Sequence, residues 1–136
     1  MSVDSPNFEG LDRWAFEERR VEKPWGYELI WAHTDRYAGK ILFVRAGQAL
    51  SLQFHNEKDE SWHVLSGRAQ LELGEVGQGA LNSEVITEGA SFHFVPGTVH
   101  RVTAIEDTTI LEVSTAELDD VVRLEDKYGR EGTSAP

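Results

Sequence analysis

The stretch GQALSLQFHNEKDESWHVLSG, residues 47–67, predicts two neighbouring β-strands. Polar and apolar residues alternate along its first half, so the side chains of Gln53 and His55 are expected on the same side of one strand. A polar turn at 56–59 separates this strand from the next, which begins at Glu60. If the two strands pair, the carboxylate of Glu60 can face back toward the imidazole of His55.

A second stretch, GASFHFVPGTVH at residues 89–100, ends on another histidine after a Pro-Gly turn. Side chains from strands that are distant in sequence converge inside a β-barrel, so His100 can join Gln53, His55 and Glu60 there. Imidazole, carboxylate and amide oxygen together suit one divalent ion of zinc, manganese, nickel or iron. The sequence therefore predicts a metal site formed by these four residues.

The rest of the chain is typical of a small all-β protein. Its 136 residues fit one domain, and its 12 glycines indicate frequent turns. Short strands at regular spacing predict a sandwich or barrel. Nine of them are expected, at residues 27–32, 40–44, 48–54, 60–65, 68–73, 83–86, 90–95, 100–105 and 109–114.

Segments of different character are expected at the two ends of the barrel, which should span residues 21–116. Residues 1–20 are predicted to form an N-terminal arm in which aromatic residues such as Trp14 pack onto a neighbouring surface. Residues 117–130 mix charged and apolar positions, which indicates a short helix or an irregular packing segment. Residues 131–136 are predicted to be a disordered tail.

The charge of the chain disfavours several classes of function. Asp and Glu outnumber Lys and Arg by 24 to 13, and the formal net charge is −11. A surface of that sign repels nucleic acids and anionic membranes. No apolar run reaches the roughly 20 residues that span a bilayer, and the polar N-terminus differs from a signal peptide. Because cysteine is absent, no disulfide can form, which favours a cytoplasmic location.

Both quoted stretches resemble the two sequence motifs of the cupin superfamily. The first matches every spacing of G-x5-H-x-H-x4-E-x6-G, with Gln53 in place of the first histidine. The second is similar to G-x5-P-x-G-x2-H-x3-N, with Val95 and Ala104 at the Pro and Asn positions. The resemblance implies the cupin fold, which is a double-stranded β-helix or jelly-roll barrel.

Further segments resemble the cupin domain of type II mannose-6-phosphate isomerases. They are LSLQFH, the pair His100-Arg101, KPWG at residues 23–26 and the tail VVRLEDKYGR at residues 121–130. In that family the cupin domain carries the isomerase activity and is often fused to a nucleotidyltransferase domain. No such partner domain is expected within these 136 residues. Ser61 stands where the family usually has a histidine after the metal-binding glutamate.

This family resemblance also implies roles for residues around the metal site. It gives the same four residues as metal ligands, and it places the basic residues Lys40 and Arg101 near the site, where they could hold a phosphate or polarise a sugar oxygen. His93 occupies a pocket position of the family. Either His93 or Glu60 is the expected catalytic base.

The leading functional hypothesis is a metal-dependent isomerase that interconverts the aldose and ketose forms of a sugar or sugar phosphate. Two alternatives are a dioxygenase that uses iron or nickel, and a non-catalytic sugar-binding or regulatory cupin. Small cupins have exposed sheet edges, so we also expect a homodimer in which the N-terminal arm covers an edge.

Overall fold

The computed structural model describes residues 11–132 of the chain, with side chains from residue 13 onward. This part contains a short 3-10 helix and eleven antiparallel strands. Their bounds are Leu11–Trp14 for the helix, and β1 Arg19–Lys23, β2 Gly26–His33, β3 Tyr37–Val44, β4 Leu52–Phe54, β5 Glu60–Ser66, β6 Arg68–Glu75, β7 Asn82–Thr87, β8 Ser91–Phe94, β9 Thr98–Ala104, β10 Thr108–Thr115 and β11 Val122–Glu125.

The strands form two sheets. The six-stranded sheet has the order β1-β2-β3-β10-β5-β8, and the five-stranded sheet has the order β11-β4-β9-β6-β7. The crossovers between strands that are distant in sequence, such as β3 beside β10 and β4 beside β9, are the connections of a jelly-roll barrel. The predicted all-β barrel is therefore confirmed.

One apolar core lies between the two sheets. Residues at inward positions of both sheets are buried there, because successive side chains of a strand alternate between its two faces. Trp62 of β5 is the largest fully buried side chain, and its ring meets Phe94 of β8 edge-on with the centroids 5.0 Å apart. The core comprises Trp25, Leu42, Val44, Leu50, Trp62, Val64, Ala69, Leu71, Ile86, Phe94, Val102, Ala104 and Ile110.

Gly67, the last residue of the first quoted stretch, has a structural requirement for glycine. It joins β5 to β6 with φ at 100°, which is a left-handed conformation that favours glycine. A Cβ atom at this position would lie 2.3 Å from the carbonyl oxygen of Asp107 and 2.6 Å from the Cα atom of Thr108. The connection between β5 of one sheet and β6 of the other therefore depends on this glycine.

All nine predicted strands are present, with bounds that differ by a few residues, and the structure adds β1 and β11. The expectation of a helix or irregular segment at 117–130 is corrected, because Val122–Glu125 pairs with β4 as an edge strand. Trp14 of the arm is 70% exposed, and the guanidinium group of Arg13 lies over its ring, 4.6 Å from the centroid. Residues 1–10 and 133–136, which include most of the predicted tail, lie outside the described residues. In the part that is described, no helix is long and apolar enough to cross a membrane.

Candidate metal centre

Three buried side chains from different parts of the sequence meet inside the barrel. His55 follows β4, Glu60 begins β5 and His100 lies in the middle of β9. One potential ligand atom from each of these residues lies within 4.8 Å of the others. The Nε2 atom of His55 is 3.0 Å from a carboxylate oxygen of Glu60, and the Nε2 atom of His100 is 3.4 Å from the other oxygen. The geometry thus assembles a His-Glu-His cluster that could bind a metal ion.

The hydrogen bonds of the two histidines orient their free nitrogens toward this cluster. The Nδ1 atom of His55 contacts the backbone carbonyl of Asp120, and the Nδ1 atom of His100 contacts the carbonyl of Thr98 at 2.9 Å. A carbonyl oxygen only accepts hydrogen bonds, so each Nδ1 carries the proton and donates it. Each Nε2 is then the nitrogen that faces Glu60 and could bind a metal ion, which is the arrangement of metal-binding histidines.

The chemistry of the donor atoms fits a divalent metal. The Nε2 atoms of His55 and His100 are buried without a hydrogen-bond partner of suitable geometry, although each lies within 3.4 Å of a carboxylate oxygen of Glu60. Leaving buried polar atoms in that state is costly unless another group binds them. Two neutral imidazoles and one carboxylate, with room for further ligands, are the donor set of catalytic zinc and non-haem iron sites.

Gln53 lies beside the cluster, as the alternation of the strand predicted. It pairs with His100 across β4 and β9 and lines the same cavity as His55 and Glu60. The hydroxyl of Ser51 donates a hydrogen bond of 3.3 Å to the amide oxygen of Gln53. The amide is therefore placed where it could complete the metal site.

A buried lysine connects the cluster to a second carboxylate. The ammonium group of Lys58 is 3.1 Å from Glu60 and 3.1 Å from Glu112 of β10. All three side chains are almost fully buried. Glu112 also accepts a hydrogen bond of 3.1 Å from the indole nitrogen of Trp62. The metal cluster is thus one end of a buried chain of polar side chains.

The electrostatics of this network keep its charged groups ionised. Burial raises the pKa of Glu60, but the imidazoles of His100 and His55 and the ammonium group of Lys58 outweigh this effect and hold the pKa well below its usual value. Burial likewise lowers the pKa of Lys58, and the carboxylates of Glu112 and Glu60 more than reverse it, so the pKa is raised. Glu60 is therefore a carboxylate at neutral pH, which is the form that binds metals.

Two small adjoining cavities extend from the cluster. Their volumes are about 70 and 50 Å³, and they share Lys23, Glu28, Gln53 and Arg123 as lining residues. The cationic side chains around them outnumber the anionic ones. The cations are Lys23, Lys40, Lys58, Arg123 and Arg130, and the anions are Glu28, Glu60 and Glu112.

The segment after β10 covers one side of the larger cavity. Leu118 and Val121 line it, and the backbone of Asp120 contacts His55. The carboxylate of Asp120 accepts hydrogen bonds from the backbone N–H groups of residues 56–58, at 2.6 to 3.0 Å. Asp120 therefore fastens this segment to the turn that separates His55 from Glu60.

Replacing Asp120 by asparagine is expected to lower the free energy of unfolding by about 1 kcal/mol at neutral pH, since charged acceptors strengthen hydrogen bonds and this carboxylate is partly exposed. Burial raises the pKa of Asp120, but the N–H groups of Glu57, Asn56 and Lys58 lower it below the usual value. The contribution is thus complete above about pH 4 and is lost as the pH falls further. Urea denaturation of both proteins as a function of pH tests this. A stability difference that persists unchanged at pH 3 would contradict it.

The structure brings some of the other predicted site residues to the cavities and leaves others outside. Lys40 is buried and lines the larger cavity, with its ammonium group 3.3 Å from Glu28. His93 is exposed on the outer surface, 2.6 Å from Asp59. Arg101 points to the outside of the five-stranded sheet and is paired with Glu72 at 2.8 Å and with Glu125 at 3.2 Å.

The placement of His93 and Arg101 follows from strand alternation. Phe94 and His100 face inward and stack on each other with their centroids 4.7 Å apart, so their immediate neighbours His93 and Arg101 face outward. Neither lines the cavities beside the cluster. Their catalytic roles remain predictions from the family resemblance, and their contacts favour surface ion pairing.

Several residues of the site were not identified from the sequence. Glu112 could have been found, because it falls at an inward position of a predicted strand, between Ile110 and Ser114, where a charged residue is unusual. Arg123 belongs to the tail that resembles the isomerase family, which was a second usable signal. Lys58 had no such signal, since it lies in a polar turn.

Comparison with known proteins agrees with this picture. The family model described as Mannose-6-phosphate isomerase C-terminal matches residues 12–126. The chain is 35% identical over 118 residues to the xanthan biosynthesis protein XanB of Xanthomonas campestris, covering 82% of this chain and 24% of that protein. It is also 35% identical over 119 residues to the mannose-1-phosphate guanylyltransferase ManC of Salmonella typhimurium, covering 82% and 23% of the two chains.

A solved structure shows the same fold at lower sequence identity. The capsular polysaccharide assembling protein CapF of Staphylococcus aureus superposes with a TM-score of 0.67 at 15% identity, covering 85% of this chain and 34% of that one. The chain spans about a quarter of the length of the two sequence relatives. The likeness therefore concerns one cupin domain of those larger proteins.

Proposed function

This chain belongs to the family of mannose-6-phosphate isomerase C-terminal domains, and from that premise we propose that it isomerises a sugar phosphate at a metal ion held by His55, Glu60 and His100. Gln53 is the proposed fourth ligand. The ion is one of zinc, manganese, nickel or iron, since imidazole, carboxylate and amide donors suit these metals. When bound, it supplies Lewis-acid polarisation of a sugar carbonyl.

The excess of cationic side chains beside the cluster is the observation that carries this proposal. The whole chain has a formal net charge of −11, yet Lys23, Lys40, Arg123 and Arg130 gather around the two cavities. Burial lowers the pKa of Lys23, the carboxylate of Glu28 opposes this effect, and the cations Lys40, Arg123 and Arg130 add to the lowering. Cations that repel one another in a buried place are stabilised by a bound anion, and a phosphate group is one that Arg and Lys recognise well.

The residues around the cavities can supply the other functions that an isomerase needs, which are phosphate binding, polarisation of a sugar oxygen and proton transfer. The proposed phosphate site is formed by Lys23 and Arg123, and Lys40 is close enough to the larger cavity to polarise a sugar oxygen. Arg130 lies beside them and is paired with the buried carboxylate of Asp126 at 2.8 Å. Aldose–ketose isomerisation moves one proton between adjacent carbons, which requires a base inside the site. Glu60 is ionised and faces the cavity, so it is the proposed base, through a carboxylate oxygen that is not bound to the metal. His93, the other predicted base, would need to turn inward from Asp59.

The size of the cavities requires a movement of the chain. Sites for organic ligands commonly enclose about 300 to 1,000 Å³, whereas these two cavities have volumes of about 70 and 50 Å³. The segment with Leu118 and Val121 is one of the parts of the wall that come from connections between strands, as do Leu50, His55 and Lys58. We propose that it moves aside for the sugar phosphate and closes again over it.

Replacing Arg123 by methionine is expected to raise the KM for mannose 6-phosphate at least about tenfold, because one charged hydrogen bond contributes about 1.5 to 3 kcal/mol. The KM for unphosphorylated mannose should stay unchanged. Steady-state isomerase assays with each candidate metal measure both values.

The variant Arg101→Met is the matched control for Arg123→Met. It removes an arginine from the outer surface and should leave both KM values unchanged. The opposite result, a tenfold effect for Arg101→Met and none for Arg123→Met, would support the site inferred from the family resemblance and overturn the one proposed from the cavities. Isomerase activity that survives complete removal of metal would overturn the mechanism itself.

The small cavity volume favours one alternative, a cupin that binds a metal and a small anion without catalysis. In that case inorganic phosphate would bind to the metal-loaded protein, and no isomerisation of any sugar phosphate would be detected with zinc, manganese, nickel or iron. Isothermal titration with phosphate, run beside the isomerase assay, distinguishes the two functions.

A further inference from the structure

The outward surface of the six-stranded sheet is apolar across its central strands. Large exposed or half-exposed side chains lie at alternating positions of neighbouring strands, and we call this surface the outer face. It consists of Tyr27, Leu29 and Trp31 from β2, Tyr37, Ile41 and Phe43 from β3, Leu111 and Val113 from β10, Ser61, His63 and Leu65 from β5, and Ser91 and His93 from β8.

These side chains form a continuous surface rather than isolated positions. Leu111 is paired with Ile41 on one side and with His63 on the other. The rings of Tyr27 and Phe43 stack with centroids 5.2 Å apart. Trp31 lies over Gly39, where a Cβ atom would come within 2.5 Å of the indole ring. The glycine therefore lets an aromatic ring lie flat and extend the apolar area.

The outer face contains both a groove and protruding aromatic side chains. Its β5, β8 and β10 side contains a shallow groove of about 390 Å³, lined by Ser61, His63, Ser91, His93, Leu111 and Val113. Its β2 and β3 side carries two exposed aromatic side chains, Trp31 at 41% and Tyr37 at 55% exposure. The groove and the protruding rings thus lie on opposite halves of one surface.

No outward position of β2, β3, β5, β8 or β10 on this face carries a carboxylate, although the chain has 24 Asp and Glu residues. Carboxylates adjoin the face at its margins, where Glu22 is paired with Arg20 and Asp59 with His93. The outward surface of the five-stranded sheet differs, because it carries Glu72 and Arg101 in an ion pair together with Gln70. The apolar character therefore belongs to one sheet alone.

We propose that the outer face is the interface of a two-fold symmetric homodimer of this chain. Two copies with a net charge of −11 repel each other wherever acidic surfaces meet, and the outer face is a surface on which they can approach without opposing carboxylates. Five strands of up to 8 residues, at about 4.8 Å between strands and 3.3 Å per residue, present on the order of 600 Å² in projection. A standard dimer buries about 800 Å² of accessible surface per partner, which is of similar size.

Two-fold symmetry also brings the protruding side chains of one copy onto the groove of the other. The centre of the sheet falls between β3 and β10. An axis through this point, parallel to the strands, places β2 of one copy on β5 of the other. Trp31 lies at the level of Val113 and Ser61, since Gly39 pairs with Val113 and Val113 pairs with Ser61. The indole ring of each copy then enters the groove of its partner.

Sedimentation velocity of Val113→Glu and Val85→Glu tests the interface with a matched pair. Both valines are about half exposed, at 48% and 54%, and each lies on the outward surface of a different sheet. The wild-type chain is expected to be a dimer at micromolar concentration. Val113→Glu should raise the dimer dissociation constant at least about 100-fold, because symmetry buries two carboxylates in an apolar interface. Val85→Glu should leave it unchanged.

Trp31→Ala supplies a second readout that introduces no charge. It should weaken the dimer as well, while the far-UV circular dichroism of all variants stays that of the wild type. A monomeric wild-type protein would overturn the proposal, and so would a dimer that tolerates Val113→Glu or is disrupted equally by Val85→Glu. None of these outcomes depends on isomerase activity, so the proposed function and the interface can fail separately.

Discussion

The His100→Ala variant is expected to lose its metal, with an affinity at least 100-fold below that of the wild-type protein. His100 offers one of the three clustered ligand atoms, and its Nδ1 proton is already held by the carbonyl of Thr98. Loss of an outer partner alone usually costs 10- to 100-fold in metal affinity, so loss of a ligand costs more. Elemental analysis by mass spectrometry and metal titration measure the effect.

Two further variants keep this result interpretable. His100 is fully buried and stacks on Phe94, so its removal also leaves a cavity in the core. His55→Ala should abolish binding in the same way with less damage to packing, because His55 lies at the end of a strand. His63→Ala removes a histidine of the outer surface and should bind metal like the wild type. Equal metal content in all four proteins would refute the proposed site.

Part of the cluster of His55, Glu60 and His100 could be predicted from the sequence because it depends on a local rule. The side chains of Gln53 and His55 share one side because a strand has a period of two. The expected pairing of the two strands does not form, because β4 and β5 lie in different sheets, so Glu60 meets His55 from the opposite sheet. His100 joins them because β9 pairs with β4. The alternation of Gln53 and His55 can be read along the chain, whereas the positions of Glu60 and His100 depend on how the two sheets are arranged.

The surroundings of the cluster were harder to predict because they depend on which strands become neighbours. Glu112 reaches Lys58 because β10 pairs with β5. This pairing brings together residues that are far apart in the sequence, such as Trp62 and Glu112, which are separated by 50 positions. Arg123 reaches the cavities because its strand, β11, pairs with β4 at the edge of the sheet. Arg101, beside a ligand in sequence, faces outward for the same reason that His100 faces inward. Adjacency to His100 in sequence was therefore a poor guide to which arginine lines the cavities.

The separation of charge in this chain connects the site with the outer surface. Acidic residues dominate the composition, whereas lysines and arginines such as Lys40 and Arg123 are buried around the cavities. Water screens exposed carboxylates effectively, but charges inside the barrel interact strongly. The site can hence attract an anion although the molecule as a whole is negative, and its stability depends on the internal balance of charge.

Replacing Lys58 by methionine is expected to lower the free energy of unfolding of the metal-free protein by about 3 to 5 kcal/mol. Methionine has a similar length but no charge, so the variant leaves Glu60 and Glu112 as buried carboxylates without their shared cation. Removal of one partner of a buried ion pair typically has a cost of this size. Urea denaturation in the presence of a chelator measures it, and Lys127→Met, at an exposed lysine, should change stability by less than about 1 kcal/mol.

Metal binding should restore part of the free energy of unfolding that Lys58→Met loses, because a divalent ion at His55 and His100 neutralises Glu60 in place of the ammonium group. The double variant Lys58→Met/Glu112→Gln should be more stable than the sum of the two single changes predicts, since the second change removes one of the two uncompensated charges. Additive losses, or a loss that is the same with and without zinc, would show that Lys58 does not balance the charge of this site. If the double variant is more stable than the sum predicts, and zinc restores part of the lost stability of Lys58→Met, Lys58 is identified as the residue that keeps Glu60 ionised and oriented before the metal binds.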